Sequence, residues 1–268
     1  MTILVTGATG NTGRHVVSEL LGRGYPVRAL TRDPRRAAGL LPAGVEVLAG
    51  THTEPETLDA ALDGVTALHI TVTAGVAETG PELVRRAVAA GVERITILWG
   101  GYVGPAETAV AESGVPWTRL EPQEFMANAL TWRESVQAEG VVREPFDLPS
   151  AVVHEGDLGA VAALALTEDG HAGRAYNLNG PEALTTRARV DILAAALGRE
   201  IVFEQIGGEA AIERMLRDGV SRADAEYVVG WHADPPASAR IPDGTVERLL
   251  GRPARTFADW VTEHKNRF

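Results

Sequence analysis

The chain has 268 residues, 45% of them hydrophobic, enough for one sizeable core or a core with a smaller second lobe. Its 36 acidic and 25 basic residues leave a net charge of −11, which repels nucleic acid and anionic membrane surfaces, so neither is expected as a partner. The absence of cysteine excludes disulfides, thiolate metal sites, iron–sulfur clusters and cysteine nucleophiles.

No basic leader precedes the first apolar run, and no apolar stretch approaches the ~20 residues of a membrane span; a cytoplasmic location is expected. Strands are predicted at residues 3–6, 27–31, 45–48, 67–72, 94–98 and 117–120. They alternate with helical patterns, the signature of right-handed βαβ units and a parallel sheet covered on both faces. Val16, Val17, Leu20 and Leu21 form one helical stripe that Gly22 to Gly24 end. A second helix is predicted at 81–90, closed by Gly91. Residues 133–150 read as an excursion, and Asp157 as the cap of a helix reaching about Leu166. A strand at 174–178, a helix at 187–197 and a mostly helical tail to Phe268 complete the chain. The expected fold is α/β: a doubly wound parallel sheet over residues 1–130, with 151–180 returning to it, and a smaller, mostly helical substrate lobe from 131–150 and 181–268.

Gly7, Gly10 and Gly13 lie between the first strand and the first helix, the context in which a glycine fingerprint points to a dinucleotide. The first permits a tight turn, the second lets a pyrophosphate approach the main chain, and the third lets helix and strand pack closely. Thr9, Asn11 and Thr12 fill the same loop, and the helix N-terminus offers N–H groups to an anion. The alternative is that these are turn glycines only. At the end of the second strand Thr31 occupies the place of the acid that would hold the ribose of NAD, and Arg32 follows, with Arg35 and Arg36 one turn on. Guanidinium groups suit a 2′-phosphate, so NADP is favoured over NAD, although Arg32 also reads as a solvated side chain beside the Asp33 and Pro34 helix start. Thr71 and Gly100, near the ends of the fourth and fifth strands, join the expected cofactor set.

TGATGNTG, LTRDP, AAGVERI, SGVPWTRLEPQEFMAN, EGDLGAVAALALTEDGHAGRAYNLNGPEALT and GRPARTFADWVTEH together resemble the NmrA-like, atypical short-chain dehydrogenase/reductase family over nearly the whole length. The resemblance implies a Rossmann-type domain, a smaller C-terminal substrate lobe and a cleft between them. It includes NADPH-dependent quinone reductases, reductases of aromatic natural products and catalytically silent NADP(H) sensors.

The wider superfamily protonates a carbonyl oxygen with a serine, a tyrosine and a lysine as hydride arrives at carbon. Here Trp99, Gly100, Gly101 and Tyr102 follow the fifth strand, glycines stand at the serine positions, Val103 falls near the place where relatives often carry a lysine, and no YxxxK occurs. An ordinary alcohol dehydrogenase is not expected. A quinone needs little acid help, and Gly100 and Gly101 would leave room for a flat ring. Trp99, Gly101 and Tyr102 are candidate substrate residues, with Tyr102 the candidate donor. Phe125, Met126 and Asn128 follow the sixth strand, where the resemblance implies the substrate side of the nicotinamide; packing is the alternative for Trp99, Phe125 and Met126. Gly50 and Thr51 stand where relatives usually have an acid near the adenine.

The seven histidines show no helical pair at metal-ligand spacing. His154, Glu155 and Asp157 read as a loop and helix cap, and ERMLRDGVSRADAE as a solvated helical face. Two readings follow. One is an NADPH-dependent reductase of a flat aromatic or quinone substrate, extending to a polyketide intermediate and to the reductase half of a two-component hydroxylation with a separate oxygenase. The other is an NADP(H)-binding redox sensor.

Overall fold

A computed structural model describes residues 1–268. In chain order the elements are β1 Thr2–Thr6, α1 Gly13–Gly22, β2 Val27–Thr31, α2 Pro34–Ala37, β3 Glu46–Ala49, α3 Leu58–Leu62, β4 Val65–Ile70, α4 Val76–Ala89, β5 Arg94–Leu98, α5 Pro105–Glu112 and β6 Trp117–Pro122. Then come α6 Arg133–Glu139, β7 Val141–Glu144, α7 Glu155–Thr167, β8 Arg174–Leu178, α8 Thr186–Leu197, β9 Val202–Gln205, α9 Gly208–Arg217, α10 Arg222–Ala233, α11 Ala237–Arg240, α12 Thr245–Leu250 and α13 Phe257–His264.

The residues divide into two units. Unit 1 comprises Met1–Pro122, Glu155–Leu178 and Thr245–Arg252; unit 2 comprises Gln123–His154, Asn179–Gly244 and Pro253–Phe268. Residues 123–130, assigned from the sequence to the nucleotide domain, therefore stand with unit 2, and α12 returns to unit 1.

Unit 1 is built on one parallel sheet in the order β3-β2-β1-β4-β5-β6-β8. The chain winds outward one way from β1 and the other way from β4, so the switch point, where such sheets open a crevice beyond their carboxyl ends, lies between these two strands. Ile3, Leu4, Val5, Ala67, Leu68, Ile70, Ile95 and Ile97 are almost completely buried, the continuous apolar strands that a sheet covered on both faces requires. As expected, the architecture is Rossmann-type α/β.

Two helix contacts depend on missing side chains. A Cβ on Gly80 would come 2.5 Å from the Cβ of Ala106, so glycine lets α4 approach α5. A Cβ on Gly159 would lie 2.6 Å from that of His15, so α7 seats directly on α1. Packed between α1, the sheet and α12, α7 is buried from Glu155 to Leu166.

Several expected boundaries move. The helix expected at 81–90 begins at Val76 and carries Pro81 inside it. Val76, Gly80, Leu83, Val84 and Ala87 are all buried, and this stripe at helical spacing extends the helix back past the proline despite its missing N–H. The strand expected at 67–72 is β4 at Val65–Ile70. Asp157 does not precede α7 but lies in its first turn, fully buried, and accepts from Arg252 at 2.7 Å. The run ERMLRDGVSRADAE spans the end of α9, a turn and the start of α10, whose cap is Ser221.

Unit 2 has its own core, in which Met126, Trp132, Val136, Val142, Val190, Leu193, Phe257 and Trp260 pack together. It also holds a two-stranded parallel sheet, β7 with β9, absent from the expectation of a mostly helical lobe.

Candidate functional site

The β1–α1 turn separates the three glycine roles. Gly7 has φ +60°, a left-handed conformation that favours glycine, and a Cβ there would approach Thr71 Cβ at 2.9 Å. At Gly13 a Cβ would collide with the Gly7 carbonyl oxygen and the Ala8 backbone, so this glycine closes the helix onto the strand. Gly10 differs: its Cβ would meet only the Gly7 carbonyl oxygen, at 3.1 Å, and the residue is exposed. Protein packing fills the space at positions 7 and 13 but leaves it open at 10. Gly10 N–H donates to that same Gly7 oxygen at 2.9 Å, fixing the turn. Thr12 stands at the α1 N-cap without a side-chain cap bond; Arg14 N–H bonds the Gly10 carbonyl and His15 N–H the Thr12 carbonyl, so what α1 offers an anion is the positive end of its dipole. Thr9 is half-buried and Asn11 exposed beside it.

Thr71 is held at the switch point. Thr6 Oγ1 donates to the His69 carbonyl at 3.2 Å and accepts from Thr71 N–H at 3.0 Å, tying β1 to β4 where both strands end. The buried Thr71 Oγ1 has no hydrogen-bond partner. A Cβ on Gly100 would reach Val72 at 3.1 Å, so the ends of β1, β4 and β5 meet at Gly7, Thr71, Val72 and Gly100.

At the end of β2, the Asp33 carboxylate accepts from Arg35 and Arg36 N–H, each at 3.0 Å, and caps α2. With that acid engaged by the main chain, Arg32, Arg35 and Arg36 extend their guanidinium groups into solvent. Gly50 N–H donates to the Thr31 carbonyl at 2.9 Å, and a Cβ on Gly50 would press on Leu30 and Thr57, so packing excludes an acidic side chain there. The sequence reading missed His52. Its buried ring lies 2.7 Å from Thr79 Oγ1 and 2.6 Å from Thr73 Oγ1, and burial, then the Arg32 charge, lowers its pKa. The glycine cradle, the unpartnered Thr71 hydroxyl and the open guanidinium groups fit a phosphorylated dinucleotide.

In the loop after β5, Trp99 N–H bonds the Leu120 carbonyl at 2.8 Å, while its indole Nε1 is buried without a partner. Gly101 adopts φ +104°. Tyr102 is 60% exposed and Val103 56%. Gly104 N–H donates to the Glu107 carboxylate at 3.0 Å, and a Cβ on Gly104 would strike the Tyr102 ring at 2.9 Å, so the phenol lies across bare backbone.

In unit 2, Glu124 to Asn128 follow β6. Val153 N–H donates to the Glu124 carbonyl at 2.8 Å and Met126 N–H to the Val153 carbonyl at 3.0 Å. Met126 is 1% exposed in the unit 2 core, Phe125 is half-buried and Asn128 is exposed; the packing role is the one the geometry gives Met126. Glu124, inside the quoted SGVPWTRLEPQEFMAN stretch, was passed over as a candidate. Its carboxylate is buried against Arg189 of α8, at 2.8 Å, a partner no local pattern could supply.

A model of the NmrA-like family matches residues 1–106. Over 99% of both chains, the protein is 38% identical to the (4-alkanoyl-5-oxo-2,5-dihydrofuran-3-yl)methyl phosphate reductase of Streptomyces griseus. It is 34% identical to the NAD(P)H azoreductase of Xenophilus azovorans, also over 99% of both. The NADPH-dependent quinone oxidoreductase of Escherichia coli, solved with NADPH, superposes with a TM-score of 0.81 at 25% identity, covering 97% of this chain and 99% of that one. The chain belongs to the NmrA-like family, as an NAD(P)H-dependent oxidoreductase.

Proposed function

We propose that the protein is an NADPH-dependent reductase of flat, conjugated acceptors of the quinone class. The observation that carries this reading is the loop after β5, where Gly100 and Gly101 replace the serine and no YxxxK follows, next to a glycine cradle that fits a dinucleotide. Bound NADPH supplies a hydride. The chain supplies position: Gly10 and the α1 N-terminus hold the pyrophosphate, Arg32 with Arg36 the 2′-phosphate, and Thr71 the face of the nucleotide turned to the switch point. Trp99 and Gly101 are the proposed acceptor contacts on unit 1. Tyr102 is the proposed hydrogen-bond donor to the oxygen on which charge develops. Positioning and electrostatics carry most of such a rate.

An oxo-dihydrofuran phosphate, an azo compound and a quinone are the acceptors named for the three relatives, and each presents a conjugated double bond that can take up a hydride. The finer reading is a polycyclic quinone of polyketide type, whose hydroquinone reacts with oxygen on a separate oxygenase partner.

The test follows NADPH absorbance anaerobically with naphthoquinones, anthraquinones, an azo dye and isolated ketones, and then admits oxygen with and without a candidate oxygenase. Quinones are expected to turn over and isolated ketones hardly at all. Tyr102→Phe is expected to lower kcat by about tenfold, the loss of one imperfectly placed donor. Tight NADPH binding with no oxidation across the panel rejects the reductase and restores the sensor reading.

A further inference from the structure

The loops beyond β2, β3 and β4 enclose a histidine that the proposed reduction does not use, and every residue around it belongs to unit 1. β2 and β3 run side by side to Thr31 and Ala49, and Gly50 N–H donates to the Thr31 carbonyl at 2.9 Å. Arg32 and the segment from Gly50 to His52 therefore leave the sheet together.

His52 is 7% exposed, and it reaches residues that follow β4 although β2 and β1 stand between β3 and that strand. Two threonines clasp its ring, Thr79 Oγ1 at 2.7 Å from Nδ1 and Thr73 Oγ1 at 2.6 Å from Nε2. A further bond fixes where the hydrogens lie. Thr79 gives its one hydroxyl hydrogen to the Gly75 carbonyl at 2.9 Å, so toward the ring it accepts, and Nδ1 carries a hydrogen. Nε2 of the neutral ring is then bare and accepts from Thr73. Thr73 is exposed, so when Nε2 gains a proton, Thr73 Oγ1 accepts from it and turns its own hydrogen to solvent. The clasp satisfies both ring nitrogens in either charge state.

Two effects keep the extra proton off. Burial opposes the cation first and the Arg32 guanidinium repels it second, so the pKa lies below the ordinary histidine value. Glu54 and Glu56 on its own loop, Glu78 on α4, and Arg35 and Arg36 on α2 are all exposed, and the Asp33 carboxylate is turned to the α2 main chain. Arg32 is the charge that acts on the ring. A clasp that accepts the cation, held neutral in part by one nearby charge, responds to whatever cancels that charge.

We propose that His52 makes the choice of cofactor depend on pH, taking up one proton when a cofactor with a 2′-phosphate binds and none when NADH binds. This rests on the reading that Arg32 holds the 2′-phosphate. A phosphate dianion on Arg32 neutralises the charge that repels the imidazolium and adds an attraction of its own, whereas the 2′-hydroxyl of NADH leaves the Arg32 charge unanswered. The added proton comes from water onto Nε2, no bond of the cofactor changes, and departure of the cofactor returns it. By linkage, NADPH binds more tightly as pH falls between the His52 midpoint of the complex and that of the free protein. Above the midpoint of the complex the gain is lost.

The experiment is an NMR titration of the histidine ring signals of the whole protein, free, with NAD⁺ and with NADP⁺, using His52→Gln to assign the resonance. His52 is expected to titrate below about 6.5 in the free protein and with NAD⁺, and above it with NADP⁺. Calorimetry gives a second readout between about pH 6.5 and 8, where the phosphate of the free cofactor is mostly a dianion. There the wild-type Kd for NADPH tightens as pH falls, by at most about tenfold per pH unit, the limit for one proton, while that for NADH stays level. His52→Gln loses that slope, because its amide still offers the two threonines a donor and an acceptor but takes no charge. A midpoint that NADP⁺ leaves unmoved overturns the proposal, as does a His52→Gln protein that keeps the NADPH slope or an NADH affinity that shares it. Arg32→Ala separates the two readings. If it weakens NADPH alone while NADP⁺ leaves the wild-type His52 midpoint fixed, Arg32 holds the phosphate and only His52 falls; if it weakens both cofactors equally, both fall.

Discussion

Arg32 has no local structural duty that a shorter side chain could not meet. Asp33 caps α2 with its own carboxylate, and the guanidinium is left in solvent. Arg32→Ala is therefore expected to leave stability unchanged and to weaken NADPH binding by about 1–3 kcal/mol, the loss of one charge-assisted contact. Calorimetric titration with both cofactors checks this: NADH affinity should hardly move, and equal losses would remove Arg32 from the 2′-phosphate. His69 is the opposite kind of residue. It is fully buried on β4, its Nδ1 lies 2.8 Å from Thr96 Oγ1 and its Nε2 has no partner. Burial lowers its pKa from 6.5 to about 4. The native state thus holds His69 neutral while the unfolded chain takes up a proton near 6.5, so its contribution is fully present above 6.5 and is lost as pH falls toward 4. Across that window the loss is about 3 kcal/mol. Thermal melts of wild type and His69→Asn between pH 7 and 4 should show a steeper decline for the wild type; parallel curves would mean that His69 titrates normally.

The α4–α5 contact sets local propensity against packing. In an exposed helix, replacing glycine by alanine gains about 1 kcal/mol. At Gly80 the new Cβ would meet Ala106 Cβ at 2.5 Å, and a Cβ fixed to the backbone cannot swing aside, so overpacking of about 1–3 kcal/mol decides the sign. Gly80→Ala is expected to lower Tm, and Ala106→Gly added to it to recover part of the loss, a coupling that a double-mutant cycle measures. Additive effects would show that the helices part without strain. The same competition explains Pro81, whose lost hydrogen bond is outweighed by the buried stripe running from Val76 to Ala87.

Unit 1 is assembled from three stretches of chain, and the later two supply packing that the first lacks. Residues 1–130 lack α7, which covers α1 through Gly159, as well as β8, which pairs with β6 from Thr118 to Pro122. They also lack α12, whose Val246 is fully buried. That fragment is expected to stay unfolded, exposing the apolar face of Val16, Val17 and Leu20 and an unpaired strand edge. Circular dichroism and dye binding on the fragment check this, and a cooperative melt would show that the first six strands fold alone. No helix of the whole chain is long and apolar enough to cross a membrane.

What depends on neighbours along the chain could be read from the residues alone. Continuous apolar runs specify the strands of a sheet covered on both faces, and a period of 3.6 specifies the helices. Three glycines between a strand and a helix specify a tight turn, Arg32 after β2 specifies a charge, and the missing YxxxK removes one class of chemistry whatever the fold. Tertiary structure decided what depends on distant residues sharing one low-dielectric space. Glu124, Arg189 and His232 each look ordinary in sequence and become a buried charge cluster only when three elements converge. Gly80 and Gly159 look like weak points in helices until Ala106 and His15 are set against them. Asp157 looks like a cap until Arg252, 2.7 Å away, arrives from the far end of the chain. The physical reason is common to all three: propensity is local and worth tenths of a kcal/mol per residue, whereas burial and the desolvation of charge are set by whatever the fold brings into contact, and there they are larger.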